Sequence, residues 1–289
     1  MKLGVQLYTV REQFQSDPAG TLKKVGETGV RYAESYGYNG DAEGVLCGFS
    51  SAEIRAMADE AGIRIVSSHI WADDVREMLD DKARMDRIVE FNVKLGSESV
   101  ILAAQFFTGK EDVDANCGMF NEIGKRCLDA GIRFMYHNHF WEFQEVDGNV
   151  ILDLLLENTD PNLVSLQMDA YWVRRAMYDP VGLLERYGGR VKSLHQKDFP
   201  KEHESELNIW RRVDKNVLVS PTNFENAIMP EDFTEIGCGI MDIQGVIDAG
   251  NRNKIPYLML EQDFSARDPL TSVKISMDAF RTMRGIELE

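Results

Sequence analysis

Apolar and polar positions along the chain recur in units that pair a helix with a strand. Three segments show the unit clearly, with the sequences ETGVRYAE (27–34), EAGIRIVS (60–67) and DAGIRFMY (129–136). In each, a glycine follows an amphipathic stretch, and a β-branched residue then opens an apolar run. This is the pattern of a helix that ends in a left-handed turn before a strand. The three glycines are 33 and then 69 residues apart, a spacing typical of repeated βα units.

Extended over the whole chain, the pattern predicts eight strands separated by helices. The strands lie near residues 3–8, 30–36, 63–69, 98–103, 132–139, 164–169, 191–197 and 256–262. Eight strands alternating with helices are typical of a (β/α)8 TIM barrel, which a chain of 289 residues can form as a single domain over residues 1–289. A doubly wound open sheet is the alternative. That fold usually has fewer strands, and no glycine-rich dinucleotide-binding loop follows the first strand here.

One interval, residues 199–240, is far too long for an ordinary connection and is rich in charged and aromatic residues. It follows the seventh predicted strand. Because βα loops of a barrel surround the active-site mouth, this long loop after strand seven is predicted to act as a lid.

The composition excludes several classes of partner. Lys and Arg number 32 against 48 Asp and Glu, and the net charge of −16 disfavours both nucleic acid and an anionic membrane surface. No run of 18 uncharged apolar residues occurs, and the amino-terminal segment lacks a signal-like apolar stretch. The four cysteines form no short-spaced pair, which indicates reduced, structural thiols. We therefore expect a soluble cytoplasmic protein with no nucleic-acid partner and no membrane partner.

Side chains that can do chemistry gather at the carboxyl ends of the predicted strands. In LVSLQMD (163–169), the alternation of a parallel strand directs Ser165, Gln167 and Asp169 into the barrel. The same alternation places further residues inside the barrel or just beyond a strand end: Glu34, His69, His137, His139, Glu142, His195, Lys197 and Glu261. Barrel enzymes have their active sites at this end of the strands.

So many buried charges need a compensating cation, and a divalent metal ion would supply it. Three carboxylates and one neutral imidazole form an oxygen-rich ligand set, from Glu142, Asp169, His195 and Glu261. Such a set suits Mn²⁺ or Mg²⁺, with Co²⁺ or Zn²⁺ as alternatives, and we favour Mn²⁺. Open coordination positions would accept two neighbouring oxygens of a substrate.

Motifs spread over nearly the whole chain resemble those of one family. They are GVQLYTVRE (4–12), SSH (67–69), YHNHFWEF (136–143), QMDAYW (167–172), SLHQKD (193–198), EIGCGIMD (235–242) and LEQD (260–263). The chain resembles the xylose isomerase-like TIM barrels, a group of sugar phosphate isomerases/epimerases that includes tagatose/psicose 3-epimerases, inosose dehydratases and endonuclease IV. The resemblance implies that Asp169, His195 and Glu261 bind the metal.

The chain departs from the epimerase pattern at the first ligand. Where epimerases carry an in-strand glutamate, this chain carries His137. The resemblance therefore implies either Glu142 or His137 as the first ligand. We favour Glu142, which leaves His139 free to act as a base.

The resemblance implies a metal-dependent isomerase or epimerase that acts on a keto-sugar or polyol by proton transfer through an ene-diolate. The predicted catalytic residues are His139, Glu142, Glu261 and Lys197, and the predicted substrate-binding residues are Glu34, His69, His137 and Trp172. The alternative is a dehydratase or lyase that expels a β-leaving group from an inosose or a 3-keto-glycoside. His139 favours this alternative, because a histidine that is not a ligand suits protonation of the leaving group.

Two other classes of function fit the sequence less well. The endonuclease IV barrels, which cleave abasic DNA, resemble one another in a cluster of three metal ions with additional histidines. This acidic chain has only five His. A non-catalytic sugar-binding barrel would carry substitutions at the ligand positions, which are intact here. The chain has no glycine-rich phosphate cradle, which favours an unphosphorylated sugar. Relatives suggest a possible homodimer.

Overall fold

Eight parallel strands close into a barrel in the computed structural model of the chain, which describes residues 1–72 and 75–288. They are β1 (Lys2–Gln6), β2 (Tyr32–Tyr36), β3 (Arg64–Ile70), β4 (Ser99–Leu102), β5 (Arg133–His137), β6 (Val164–Asp169), β7 (Val191–Gln196) and β8 (Tyr257–Leu260). Each strand pairs with its neighbour in the chain, and β8 pairs with β1. The prediction of a TIM barrel is confirmed. The assignment of residues 1–289 to a single domain stays a prediction.

Helices surround the barrel. Within the described ranges they are α1 (Arg11–Ser16), α2 (Pro18–Glu27), α3 (Ser51–Glu60), α4 (Val75–Asp80), α5 (Lys82–Leu95), α6 (Lys110–Asp129), α7 (Ile151–Glu157), α8 (Ala170–Arg175), α9 (Pro180–Tyr187), α10 (Pro221–Ala227), α11 (Ile243–Arg252) and α12 (Pro269–Phe280). Two short hairpins lie in the loops after β2 and β5. They pair Val45–Leu46 with Phe49–Ser50 and Glu145–Val146 with Asn149–Val150.

The glycines of the repeated unit adopt the left-handed conformation that the sequence predicts. Gly29, Gly62 and Gly131 have φ angles of +92°, +69° and +80°, and each follows the end of its helix by two residues. A side chain would be strained in this conformation, because its Cβ would approach the following carbonyl oxygen. These turns redirect the chain from α2, α3 and α6 into β2, β3 and β5.

The two faces of the strands bury different groups. Outward-facing residues such as Leu166 and Met168 belong to the main apolar core. Inside the barrel, Val66, Tyr257 and Met259 form a separate apolar cluster. A Cβ on Gly4 would come within 2.5 Å of Met259 Sδ, so the glycine makes room for this inner cluster. The inner apolar cluster thus fills the part of the barrel below the carboxyl end, and the inward-facing polar side chains lie above it at that end.

The long loop after β7 is folded and anchored to the barrel. It contains α10 and three 3-10 helices, Lys201–Glu206, Ile209–Arg211 and Pro230–Asp232. Asp232 accepts hydrogen bonds from Arg175 Nη1 at 2.9 Å and from Arg212 Nη2 at 3.0 Å. Arg175 and Asp232 are both fully buried, so this ion pair fixes the loop to α8.

Asp232→Asn should destabilise the protein strongly, because it leaves the Arg175 guanidinium buried without a countercharge. We expect the free energy of unfolding, measured by urea denaturation, to fall by about 3–5 kcal/mol. Asp248→Asn is the matched control, since Asp248 pairs with Arg284 on the surface. Its effect should stay below about 1 kcal/mol. Equal effects of the two substitutions would contradict the anchoring role of Asp232.

Candidate active site

Four side chains that can bind a metal ion meet at the carboxyl end of the barrel. His137 ends β5, Asp169 ends β6, His195 lies in β7, and Glu261 follows β8. One ligand atom from each lies within 4.8 Å of the others. All four are buried, and because β5 to β8 are neighbours in the barrel, their strand ends face one another. Three of the four predicted metal-ligating residues, Asp169, His195 and Glu261, are thus brought together, and His137 joins them.

Gln167 fixes the orientation of the imidazole of His137. The amide Nε2 of Gln167 donates to Glu34 Oε2 at 2.8 Å, and because a carboxylate only accepts, the amide oxygen must face the other way. That oxygen accepts from His137 Nδ1 at 2.9 Å and from His69 Nε2 at 2.7 Å. Burial and the neighbouring histidines hold the pKa of His137 well below its usual range, so its ring is neutral. Nε2 is then the unprotonated nitrogen, and it lies 3.8 Å from Asp169 Oδ2. An outer hydrogen bond of this kind is usual for histidines that bind metals.

Glu34 supports His195 in the same way. It is fully buried and accepts hydrogen bonds from Gln6 Nε2 at 2.7 Å, Ser67 Oγ at 2.6 Å and His195 Nε2 at 2.7 Å. The other nitrogen of His195, Nδ1, faces Glu261 Oε2 at 2.9 Å. Without a metal ion, the carboxylates of Glu261 and Glu34 outweigh the effect of burial and raise the pKa of His195 to about 10, so a metal ion that binds Nδ1 has to displace a proton.

Asp169 carries the clearest sign that the cluster suits a cation. Its Oδ1 accepts from Trp172 N at 3.0 Å and caps α8, whereas its Oδ2 is buried without a hydrogen bond among the described residues. Burial raises the pKa of Asp169 to about 6, although the charges of Lys197 and His195 oppose the shift. A buried carboxylate oxygen without a hydrogen bond is costly, and a metal ion would compensate it. Two imidazoles and two carboxylates form a competent donor set for a divalent ion.

Lys197 supplies the fixed positive charge beside the cluster. Its ammonium group contacts Glu261, lies 2.8 Å from Asp263 Oδ1 and lies 3.4 Å from Asp169 Oδ2. Burial alone would lower the pKa of Lys197, but these three carboxylates hold it well above its usual range. The same pairing, with the help of His195, holds the pKa of Glu261 well below its usual range despite burial.

The structure places Glu142 outside this cluster, unlike the position that the sequence predicted for a ligand and catalytic residue. Glu142 lies in the 3-10 helix Trp141–Phe143, and its carboxylate accepts hydrogen bonds from the hydroxyl of Tyr136 and, at 2.9 Å, from His139 N. Tyr136 faces the helix layer, where it stacks with Phe120. The carboxylate of Glu142 thus turns outward and fixes the backbone at His139, so the group near the cluster is His137.

Glu142→Gln should flatten the pH dependence of stability. Burial raises the pKa of Glu142 to about 8, with hydrogen bonds opposing the shift in part. Because the pKa of an unfolded glutamate is about 4.3, the folded chain holds the extra proton, and stability is lost as pH rises toward 8. Urea unfolding in the presence of a chelator should show a steeper loss in the wild type between pH 5 and pH 8, by at most about 1.4 kcal/mol per pH unit. Glu145→Gln, an exposed neighbour, is the control, and equal slopes in wild type and Glu142→Gln would refute the assignment.

A cavity of about 280 Å³ opens above the cluster. Its lining combines polar side chains, namely His69, His137, His139, Lys197, Glu261 and Asp263, with aromatic ones, namely Tyr8, Tyr36, Trp71 and Phe224. Phe224, in α10, is part of this lining, so the long loop after β7 reaches the cavity. The predicted residues His69, His137, His139, Lys197 and Glu261 thus all reach one space.

His139 lines this cavity, and one of its two ring nitrogens has no hydrogen-bond partner among the described residues. Its Nδ1 makes no hydrogen bond within the described part of the chain, and its ring stacks on Trp141 with centroids 4.3 Å apart. Burial, together with the nearby charge of Lys197, holds the pKa of His139 well below its usual range. The side chain is therefore a neutral imidazole beside the cluster.

Two predicted substrate-binding residues do not line the cavity. Glu34 is fully buried beneath His195 and Gln167. Trp172 is also fully buried, and its ring packs against Phe140 and Tyr171. Glu34 thus holds His195 from beneath, and Trp172 packs beside His139 with ring centroids 5.7 Å apart, so neither side chain takes the cavity-lining position that the sequence predicted.

Sequence reasoning missed two functional positions. Gln167 was predicted to face inward but received no role, although it orients His69 and His137. Asp263, the last residue of the LEQD motif, follows β8 by three residues and pairs with Lys197. The only signal for Asp263 is its position just past a strand end, and strand alternation does not extend into a loop.

The fold and the cluster define a TIM barrel with potential metal ligands at its strand ends. The chain belongs to the xylose isomerase-like TIM barrel family, whose model matches residues 22–283. An inosose dehydratase from Geobacillus kaustophilus is 30% identical over 155 residues, which are 53% of this chain and 46% of that protein. The chain thus matches about half the length of this curated relative.

Solved structures share the fold over nearly the whole chain. A sugar phosphate isomerase/epimerase from Parabacteroides distasonis has a TM-score of 0.80 and 22% identity, with 99% of this chain and 95% of that chain covered. The IolI protein with a bound zinc atom has a TM-score of 0.69 and 13% identity, with 97% and 96% covered. At these identities the likeness shows the fold alone. Among the described residues, no helix is both long enough and apolar enough to cross a membrane.

Proposed function

We propose that His137, Asp169, His195 and Glu261 hold a divalent metal ion. The observation that carries this proposal is the convergence of four buried ligand atoms. One of them, Asp169 Oδ2, makes no hydrogen bond to the residues that the structure describes and lies 3.4 Å from Lys197 Nζ. The IolI structure with bound zinc supports it, as a fold relative. With two imidazoles, the donor set is less oxygen-rich than the predicted one, so Zn²⁺ and Co²⁺ become stronger candidates beside Mn²⁺.

We propose that the chain is an enzyme that removes a proton next to the carbonyl of a polyhydroxylated ketone. The metal, when bound, would polarise the carbonyl and stabilise the ene-diolate. His139 faces the cavity as a neutral imidazole and would take the proton. Lys197, held by Asp263, would donate a hydrogen bond to a substrate oxygen, and His69 would bind a further hydroxyl. A small sugar or polyol is therefore the proposed substrate.

Of the outcomes open to this chemistry, we favour β-elimination, the dehydratase or lyase reaction. His139 can remove the proton and then give it to the leaving oxygen. The elimination therefore needs only one residue, which acts first as a base and then as an acid. The inosose dehydratase among the relatives supports this outcome. The predicted isomerase or epimerase is the second candidate, because His139 and Glu261 both line the cavity and one could return a proton that the other removes. Homodimer formation and a cytoplasmic location stay predictions.

Turnover in deuterated water separates the two reactions. Metal-loaded protein would be incubated with scyllo-inosose, D-fructose and a 3-keto-glucoside, and the products followed by NMR and mass spectrometry. We expect loss of water or of the glycosidic alcohol from one of the two ring ketones. Deuterium incorporated into a recovered or epimerised ketone, without elimination, would favour the isomerase or epimerase. No exchange and no elimination with any of the three would refute the proposed proton transfer.

A further inference from the structure

A second cavity, of about 420 Å³, lies on the outside of the barrel. It lies behind β7, between the amino ends of α9 and α11, and we call it the outer groove. Its lining includes Gln196 of β7, Arg174 of α8 and the helix-capping residues Asp179 and Asp242. Among the described residues, none that lines the outer groove also lines the cavity above the metal-ligand cluster. The outer groove is thus a separate space, with a volume usual for small-molecule sites.

Gln196 supplies a hydrogen-bond acceptor at the floor of the outer groove. The residue is fully buried, and its Nε2 donates to Lys197 O at 2.7 Å. Because a carbonyl oxygen only accepts, this contact fixes the orientation of the amide and turns Oε1 away from Lys197 O. That Oε1 makes no hydrogen bond to any residue that the structure describes. A buried acceptor without a donor is costly, so this position favours a ligand that brings a donor.

The outer groove also carries charges of both signs. Arg174 makes no ion pair or side-chain hydrogen bond within the described ranges, so its guanidinium is available as a donor. Asp179 and Asp242 cap α9 and α11, and both are exposed, so their carboxylates keep lone pairs that can accept from a ligand. One amide oxygen and two carboxylates thus face a single cationic donor. A ligand that fits this lining needs several donors and at least one acceptor.

Apolar side chains complete the lining, and one of them has an unusual backbone. Met177 follows α8 by two residues and has a φ angle of +69°, a left-handed position where glycine is usual. It is 48% exposed, so burial of its side chain within the protein does not explain this conformation. Val181, Ile240 and Met241 also line the groove. These side chains can cover the apolar face of a small ligand.

We propose that the outer groove binds a neutral polyhydroxylated molecule of about the size of a monosaccharide. A hydroxyl group both donates and accepts, so it can donate to Gln196 Oε1 while a neighbouring hydroxyl accepts from Arg174. An anionic ligand would face the two carboxylates, and a cationic ligand would face the guanidinium of Arg174. The C–H face of a sugar ring would pack on Met177 and Met241. This site goes beyond the proposed function and does not depend on it.

NMR of the protein labelled with ¹³C at the methionine methyl groups tests this site directly. The chain has 13 methionines, and Met177 and Met241 line the outer groove. Single Met→Leu substitutions assign their signals. During titration with D-glucose or D-sorbitol to about 100 mM, both signals should shift together, with a dissociation constant on the order of 1 mM. Met229 is 40% exposed but lies outside the groove, so its signal should stay in place.

Two substitutions at the groove should weaken this binding. Gln196→Met keeps the length of the side chain but removes the acceptor, and Arg174→Ala removes the donor. Each should raise the dissociation constant by about tenfold. Arg252→Ala is the matched control, because Arg252 pairs with Glu185 on the surface and does not line the groove. It should leave the dissociation constant unchanged, and circular dichroism checks that all three variants are folded.

Several results would overturn the inference. One is the absence of a shift at Met177 and Met241 with both probes, and another is equal affinity in wild type, Gln196→Met and Arg174→Ala. Shifts confined to Met135 and Met259, which lie inside the barrel, would place the sugar in the other cavity alone. Tighter binding of putrescine or citrate than of either polyol would exclude a neutral ligand. Because the readout needs no turnover, binding at the groove can be present even if the proposed proton transfer is refuted.

Discussion

Asparagine in place of His137 should remove the metal ion, whereas glutamine in place of Glu142 should leave it bound. His137 offers an unprotonated Nε2 beside Asp169 Oδ2, and its ring is fixed by Gln167. Loss of an outer hydrogen bond alone typically weakens metal binding by about 10–100-fold, so loss of the ligand itself should cost more than about 100-fold. Glu142 contacts Tyr136 and the backbone of His139, so its substitution changes no ligand.

Elemental analysis after dialysis against a metal buffer measures this difference. Wild type and Glu142→Gln should retain the same amount of Mn, Co or Zn per chain, and His137→Asn should retain almost none. Circular dichroism on all three proteins checks that the barrel remains folded. Metal that is lost in Glu142→Gln and kept in His137→Asn would contradict the proposed ligand set and move the first ligand into the loop.

The sequence predicted most of this site because parallel strands impose a strict alternation. Asp169, His195 and Glu261 follow from the inward positions at the ends of β6, β7 and β8, where the barrel geometry leaves little choice of direction. The same rule put His137 on the inner face. The repeated helix–glycine–strand pattern likewise determined where the strands begin, because only glycine adopts the left-handed turn without strain.

The position of Glu142 differs from the predicted one because this residue lies beyond the strand, where alternation no longer applies. Its direction depends on a 3-10 helix of three residues and on Tyr136, an outward-facing residue whose hydroxyl captures the carboxylate. Asp263 and Phe224 could not be found for a related reason, since both reach the cavity from loops whose paths are determined by tertiary contacts. Glu34 and Trp172 were located near the correct strand ends, but their burial depends on the packing of several neighbouring elements.

His139→Asn should lower kcat for the elimination by about 10²–10⁴-fold, the usual contribution of a general acid–base residue. Asparagine keeps the size and polarity of the side chain but cannot take and return a proton at neutral pH. Because His139 is not among the four grouped ligands, the metal content should stay at the wild-type value. The KM should change little, since the other residues that line the cavity remain.

His203→Asn is the matched control, as His203 lies in the 3-10 helix Lys201–Glu206 and does not line the cavity. It should leave kcat, KM and metal content unchanged. Steady-state kinetics and elemental analysis on both variants would then assign the lost activity to proton transfer at one position. If kcat in His139→Asn stays within about tenfold of wild type while Glu261→Gln abolishes turnover with metal still bound, the base would be the carboxylate of Glu261.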